Sequence, residues 1–285
     1  MKLGIIQVDY NFVDGLPERR KKLLSYARSC FEDGADLVFF PEEYQYLTCP
    51  DLVQDRAALE RAAAEWKEMC SCLAREYGAY IVPWDYEVLG GKVYNTSYVL
   101  DRSGEEIGRF RKVHLPYFEQ KKGFSAGGDF PVFNLDFGKL GIMICFDNYF
   151  PESARILSSR GAGLILLPLY GDTLRPGWEI KLRARAADNA VYVASEQIDG
   201  RFDFSFSGLV GPDGEIIEKL TEAPSCRVVD IDLERRTVTH TTGDPSISED
   251  YALYMAKCRN PDAYGCLTEK SDPPSWDDVF LGKAP

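Results

Sequence analysis

No run in this sequence approaches the roughly 20 consecutive apolar residues that a membrane-spanning helix requires. Histidine is scarce, with His114 and His240 the only two in 285 residues. A zinc site would therefore need cysteine or carboxylate ligands at suitable spacing, and none is evident, so no metal is expected. Low-complexity segments and internal repeats are lacking, which excludes repeat architectures. Basic charge is in deficit: 33 Lys and Arg stand against 45 Asp and Glu, a formal net charge of -12. Neither nucleic acid nor an anionic membrane is the expected partner of such a chain. The opening stretch MKLGIIQVDY reads as a strand and leaves no room for a signal peptide. The eight cysteines are then expected to be reduced and the protein cytoplasmic. Cys70 and Cys72 lie two apart on a predicted helix, where side chains do not face one another.

What is present is an ordinary globular composition, 45% hydrophobic and 27% charged. Strands and helices alternate, with strand pairs between them. Strands are expected at Leu3 to Val8 and Asp36 to Phe40, and an amphipathic helix between them at Leu16 to Glu32. Leu59, Ala62, Ala63, Trp66, Cys70, Leu73 and Tyr77 follow helical spacing and make one apolar face. Ala79 to Glu87 and Val93 to Asp101 read as a hairpin turning at Gly90-Gly91, followed by a strand to Arg111. Lys112 to Phe130 reads as a long connection, and such loops in compact domains are usually functional. Further strands are expected at Pro131 to Leu135, Lys139 to Ile144, Gly163 to Leu167, Ala190 to Gln197, Ser207 to Gly211, Glu215 to Lys219 and Arg227 to Leu233. Helices are expected at Pro151 to Arg160 and Trp178 to Asn189. This mixture points to an α/β protein with two sheets. Residues 1–240 are expected to form one domain. Residues 241–285 read as a C-terminal tail whose isolated aromatics, Trp276 and Phe280, would pin it to the domain or to a partner subunit.

Cys145 sits in GKLGIMICFDNYFPESAR, between a predicted strand and a helix that opens with Pro151 and Glu152. That hinge projects from the carboxyl edge of a sheet, where α/β proteins usually place their chemistry. A small buried hydrophobe is the alternative reading, since free cysteine is among the most buried residue types. LVFFPEEY puts Glu42 beyond an apolar strand, and RFRKVHLPYFEQKKGF puts Lys112 at the mouth of the long loop. A thiol with an ordinary pKa of about 8.5 is a poor nucleophile until ionised. A neighbouring ammonium stabilises the thiolate, and a neighbouring carboxylate can take its proton. The same ammonium can face the oxyanion of a tetrahedral intermediate.

Phe40-Pro41-Glu42, Arg111-Lys112-Val113-His114-Leu115 and Ile144-Cys145-Phe146-Asp147-Asn148-Tyr149-Phe150-Pro151-Glu152 together resemble the signature of the nitrilase, or carbon–nitrogen hydrolase, superfamily. The resemblance runs over roughly residues 3 to 232, and LRARAADNAVYV and SGLVGPDGEII are similar to later segments of the family. It implies a four-layer αββα sandwich. It also implies that Cys145 is the nucleophile, Glu42 the general base and Lys112 the oxyanion stabiliser, with the backbone N–H of Phe146 assisting. Glu119 resembles a second carboxylate that orients the lysine or substrate; otherwise it is a solvated loop charge beside Lys121 and Lys122. Glu43 is expected to point elsewhere if Glu42 points inward, either supporting the site from behind or lying on the surface. No cofactor is implied. A homo-oligomer, dimer or larger, is expected by resemblance alone.

Phe146-Asp147 favours the amidase and N-carbamoyl-amine branches, since nitrilases of the family usually show Cys-Trp-Glu. The expected activity is cleavage of a non-peptide C–N bond in a small linear amide or N-carbamoyl compound through a Cys thioester, releasing ammonia or amine. A nitrilase, and a non-catalytic binding protein on the same fold, are the alternatives. A Cys–His hydrolase using His114 or His240 is a further rival. Tyr117, Phe118, Tyr170 and Trp178 either line an aromatic pocket or belong to the core. Arg175 either clamps a substrate carboxylate or lies on the surface.

Overall fold

The computed structural model describes residues 1–10, 15–47, 49–171, 177–199, 206–235, 237–240, 243–244, 246–269, 275 and 279. Trp276 and Phe280 lie outside the described residues. The chain divides into two compact units, Met1–Thr237 and Val238–Pro285.

The first unit begins with β1 (Lys2–Asp9), α1 (Leu16–Glu32), β2 (Leu37–Phe39), α2 (Pro50–Gln54), α3 (Arg56–Tyr77) and β3 (Tyr80–Val82). The hairpin β4 (Trp84–Leu89) and β5 (Lys92–Leu100) follows, then β6 (Glu106–Arg111), α4 (Tyr117–Lys121), β7 (Val132–Leu135) and β8 (Gly138–Ile142). Next come α5 (Pro151–Ser159), β9 (Leu164–Pro168), α6 (Gly177–Asn189), β10 (Tyr192–Glu196), β11 (Ile198–Asp199), β12 (Ser207–Val210), β13 (Ile216–Leu220) and β14 (Ser225–Asp230). Among the described residues of this unit, β11-β1-β2-β3-β5-β4 form one sheet, with β14 on β1 and β6 on β5. The other sheet runs β13-β12-β10-β9-β8-β7.

Strand alternation explains the layering. Leu3, Ile5, Leu37 and Phe39 point from the first sheet into a core shared with Ile142, Leu164 and Leu166 of the second. Their neighbours Ile6, Val8, Val38 and Phe40 point the other way, onto Leu23 and Ala27 of α1 and Trp66 and Leu73 of α3. Gly4 lets α1 approach β1 closely: a Cβ there would lie 2.8 Å from Cys30 Cβ and 2.8 Å from Val38 Cγ2. On the far side of the second sheet, Gly141 accepts Leu157 of α5, whose Cδ2 would sit 3.0 Å from an added Cβ. The unit is therefore an αββα sandwich, as expected.

Two segments differ from the sequence reading. The connection after Lys112 is not all loop, because Tyr117–Lys121 form the single helical turn α4. The strand before Cys145 ends at Ile142 rather than Ile144, and the turn that leads to α5 is a 3₁₀ turn, Cys145–Tyr149. The second unit holds more than an irregular tail. It contains the short pair β15 (Val238–Thr239) and β16 (Glu249–Asp250), helix α7 (Tyr251–Cys258) and a 3₁₀ segment, Pro261–Leu267.

Candidate active site

Glu42, Lys112 and Cys145 each follow the end of a strand. The ladder beyond β2 reaches Phe40, whose N–H bonds Val82 O at 3.2 Å. Pro41 has no N–H to continue it, and the next residue, Glu42, turns inward with only 2% of its surface exposed. Beyond β6, the Lys112 N–H bonds Asn95 O at 2.8 Å, and Gly127 N–H returns to Lys112 O at 2.8 Å. This folds the loop back over the lysine. The approach requires a glycine, because a Cβ on Gly127 would lie 2.2 Å from Arg111 O. α4 then aims Glu119 inward, where it is 1% exposed, so the solvated-charge alternative for Glu119 does not hold.

The three charged groups share one buried point. Lys112 Nζ lies 2.8 Å from Glu42 Oε1 and 2.7 Å from Glu119 Oε1. Asn95 Nδ2 donates to the same two oxygens, at 2.7 Å to Glu42 and 3.3 Å to Glu119. Trp84 Nε1 donates to Asn95 Oδ1 at 2.6 Å and fixes the orientation of the amide. The other Glu42 oxygen, Oε2, accepts the Tyr170 backbone N–H at 3.0 Å. Burial opposes the charge on Lys112, but Glu42, Cys145 and Glu119 outweigh it and raise its pKa well above the usual lysine value. Burial raises Glu119 to about 7, with Lys112 pulling down and Glu42 pushing up.

Cys145 lies beside this cluster at the start of the 3₁₀ turn. Its φ of 45° is in the left-handed region, a strained conformation for a non-glycine residue and one that collects at functional sites. The preceding backbone is held: Met143 N–H bonds Leu166 O at 3.0 Å, and Asp147 N–H bonds Ile144 O at 3.0 Å. Burial first, then the Glu42 carboxylate, push the Cys145 thiol well above its usual range, while Lys112 pulls it down without prevailing; Cys145 also hydrogen-bonds Glu42. The resting group is thus a neutral thiol with a carboxylate in place to take its proton.

The other predicted residues are placed unevenly. Phe146 is half-buried, its ring 4.9 Å from that of Tyr149. Tyr117 and Tyr170 are half-buried, and Phe118 is exposed. Trp178 is a core residue of α6. Arg175 lies outside the described residues. Glu43 departs from expectation. Its φ of 62° breaks strand alternation; its carboxylate accepts the Tyr86 O–H and stays near Glu42. Burial and the Glu42 charge raise its pKa. His114 bonds Asp147 through Nδ1 at 2.8 Å, and His240, in the second unit, bonds Ile247 O. Sequence reasoning missed Asn95. The available signal was an asparagine in mid-strand, where that residue is disfavoured without a partner.

Two sheets packed face to face, with a thiol, a buried ammonium and two carboxylates at their strand ends, define an α/β protein equipped for thiol-based acyl chemistry. The chain belongs to the carbon–nitrogen hydrolase family, whose model matches residues 2–241. It is similar to a probable nitrilase of Schizosaccharomyces pombe, at 32% identity over 71% of this chain and 78% of that one. It is also similar to the omega-amidase of Mus musculus, at 30% identity over 82% of this chain and 89% of the relative. Among solved structures, the amidase from Nesterenkonia sp. AN1 superposes with a TM-score of 0.74 at 26% identity, over 81% of this chain and 93% of that one. That structure shows acrylamide added to the active-site cysteine. This chain is accordingly a carbon–nitrogen hydrolase.

Proposed function

We propose that this enzyme hydrolyses a small linear amide or N-carbamoyl compound, with Cys145 as nucleophile, Glu42 as general base and Lys112 as oxyanion stabiliser. The observation that carries the reading is Lys112 Nζ held between Glu42 and Glu119, at 2.8 and 2.7 Å, beside the Cys145 thiol. The amidase names of the relatives support the substrate class.

Cys145 Sγ transfers its proton to Glu42 and bonds the carbonyl carbon. The carbonyl π electrons move to oxygen, where Lys112 and the Phe146 N–H hold the negative charge. Collapse breaks the C–N bond, and Glu42 returns its proton to the leaving nitrogen. Ammonia or amine departs and a thioester remains. Water then gives a proton to Glu42 and attacks the thioester; collapse restores the thiol with the same proton. Glu119 and Asn95 hold Lys112 throughout.

Because the resting thiol is neutral, a general base is required rather than a preformed thiolate. Free thiols at Cys30, Cys70, Cys72, Cys145, Cys226, Cys258 and Cys266 support a reducing compartment, and we place the enzyme in the cytoplasm. No described helix is long and apolar enough to cross a membrane. The homo-oligomer, dimer or larger, is part of the same proposal and is tested by light scattering.

Ammonia release across a panel of ω-amides, N-carbamoyl compounds and nitriles, with Cys145→Ala as the blank, tests the activity. We expect release from amide or carbamoyl members and none from the blank. Release from nitriles alone would make it a nitrilase, and silence across the panel would favour a binding protein.

A further inference from the structure

Among the buried carboxylates that the mechanism leaves unused, Asp147 is the one beside the nucleophile in the chain. Asp147 is fully buried on the 3₁₀ turn that begins at Cys145. Its Oδ1 accepts the His114 backbone N–H at 2.9 Å and lies 2.8 Å from His114 Nδ1. Its Oδ2 accepts the Ile144 N–H at 3.0 Å. His114 is two residues beyond Lys112, and Ile144 immediately precedes Cys145. One side chain thus spans the backbone that carries the ammonium and the backbone that carries the thiol. The imidazole is held flat against Phe150, ring centroids 3.8 Å apart and planes 11° apart, and Phe150 immediately precedes Pro151, the first residue of α5. The far end of the turn is held separately, by Arg185 Nη2 donating to Asn148 O at 3.0 Å.

We propose that Asp147 and His114 form a strut that sets the distance between Cys145 and Lys112, and that His114 is a positioning residue rather than the base of a Cys–His pair. The proposal rests on the assignment of Cys145 and Lys112 above. With Asp147 ionised, His114 Nδ1 carries the proton and donates, so the ring presents Nε2 away from the carboxylate. A left-handed residue at Cys145 is strained and holds its geometry only if its neighbours over-determine it. Asp147 supplies that constraint at Ile144, one residue before the strain. The charged groups facing the Cys145 thiol are Glu42, Lys112 and Glu119. A change in the spacing of Lys112 therefore alters both attack geometry and thiol ionisation.

The test pairs steady-state kinetics with the pH dependence of Cys145 alkylation by iodoacetamide, read on the Cys145 peptide by mass. Asparagine places Nδ2 near the position of the histidine Nδ1, and glutamine does not. His114→Asn is expected to keep kcat within about threefold of wild type. His114→Gln and His114→Leu are expected to lower kcat about tenfold with KM little changed, and Asp147→Asn about a hundredfold, in line with the cost of small misplacements in active sites. Asp147→Asn sets an amide N–H against one of the donors it must accept. In the impaired variants the pH midpoint of alkylation shifts, which loss of folded protein alone does not produce. Unchanged kcat per alkylatable Cys145, with an unchanged midpoint, in His114→Gln and Asp147→Asn would overturn the strut. An inactive His114→Asn would also overturn it, because His114 would then act through its basicity. Retained turnover in Cys145→Ala would instead sink the underlying assignment, so the two failures are distinct. The half-buried His114 variants keep the test open if Asp147→Asn does not fold.

Discussion

Glu119 is where residue-scale chemistry is most exposed to measurement. Its carboxyl is raised from an ordinary 4.5 to about 7, chiefly by burial. A raised carboxyl means the folded state binds more protons than the unfolded chain between those two values. Its stabilising contribution is complete below about 4.5 and is lost as pH rises toward about 7. Glu119→Gln removes that dependence. We predict that the melting temperature of wild type falls relative to Glu119→Gln between pH 5 and pH 8, by thermal unfolding at both pH values. An equal offset at the two pH values would contradict the placement of the charge. The same scale shows what short motifs reveal. Glu42, Lys112 and Cys145 stand beside Pro41, Arg111 and Asp147 in runs distinctive enough to read directly. Asn95 stands in an unremarkable strand, and its value comes from Trp84, Glu42 and Glu119, which lie 11, 53 and 24 residues away. No local pattern encodes that meeting.

Elements place these residues because their ends are tightly held. The return of the loop at Gly127 onto the carbonyl of Lys112 illustrates this, since an added Cβ would meet Arg111 O at 2.2 Å. Gly127→Ala must therefore push the loop off β6. We predict a fall in kcat of about a hundredfold with the fold retained, because displacing a catalytic group by about 1 Å has that cost. Steady-state kinetics beside far-UV circular dichroism would check it; wild-type kcat would show that the loop does not position Lys112. The helical turn α4 was hidden from the sequence by its brevity. Five residues flanked by Pro116 and Gly123 carry too little periodicity to separate from loop, yet they decide whether Glu119 faces solvent or Lys112. Strand alternation does not reach Glu43 for a related reason, because the ladder ends at Phe40 and the left-handed residue Glu43 lies beyond it.

Across the whole first unit, the four layers depend on the shared core between the sheets. Leu166 in β9 is fully buried there, among residues of both sheets. Leu166→Ala is expected to cost about 2–5 kcal/mol through lost burial and the cavity left behind. Urea unfolding would show this as a lower midpoint at unchanged slope; an unchanged midpoint would contradict the packing. The αββα class was readable from alternating strands and helices with interposed hairpins, although apolar runs such as Leu164 to Leu167 do not say which sheet they join. The proposed chemistry rests on one sulfur at the edge of that sandwich. Rapid quenching during turnover of an amide substrate, followed by mass analysis of the Cys145 peptide, tests it most directly. We predict an adduct equal to the acyl group on Cys145, absent in Cys145→Ala and suppressed in Glu42→Gln. Continued ammonia release by Cys145→Ala, or an acyl group carried by another residue, would contradict it.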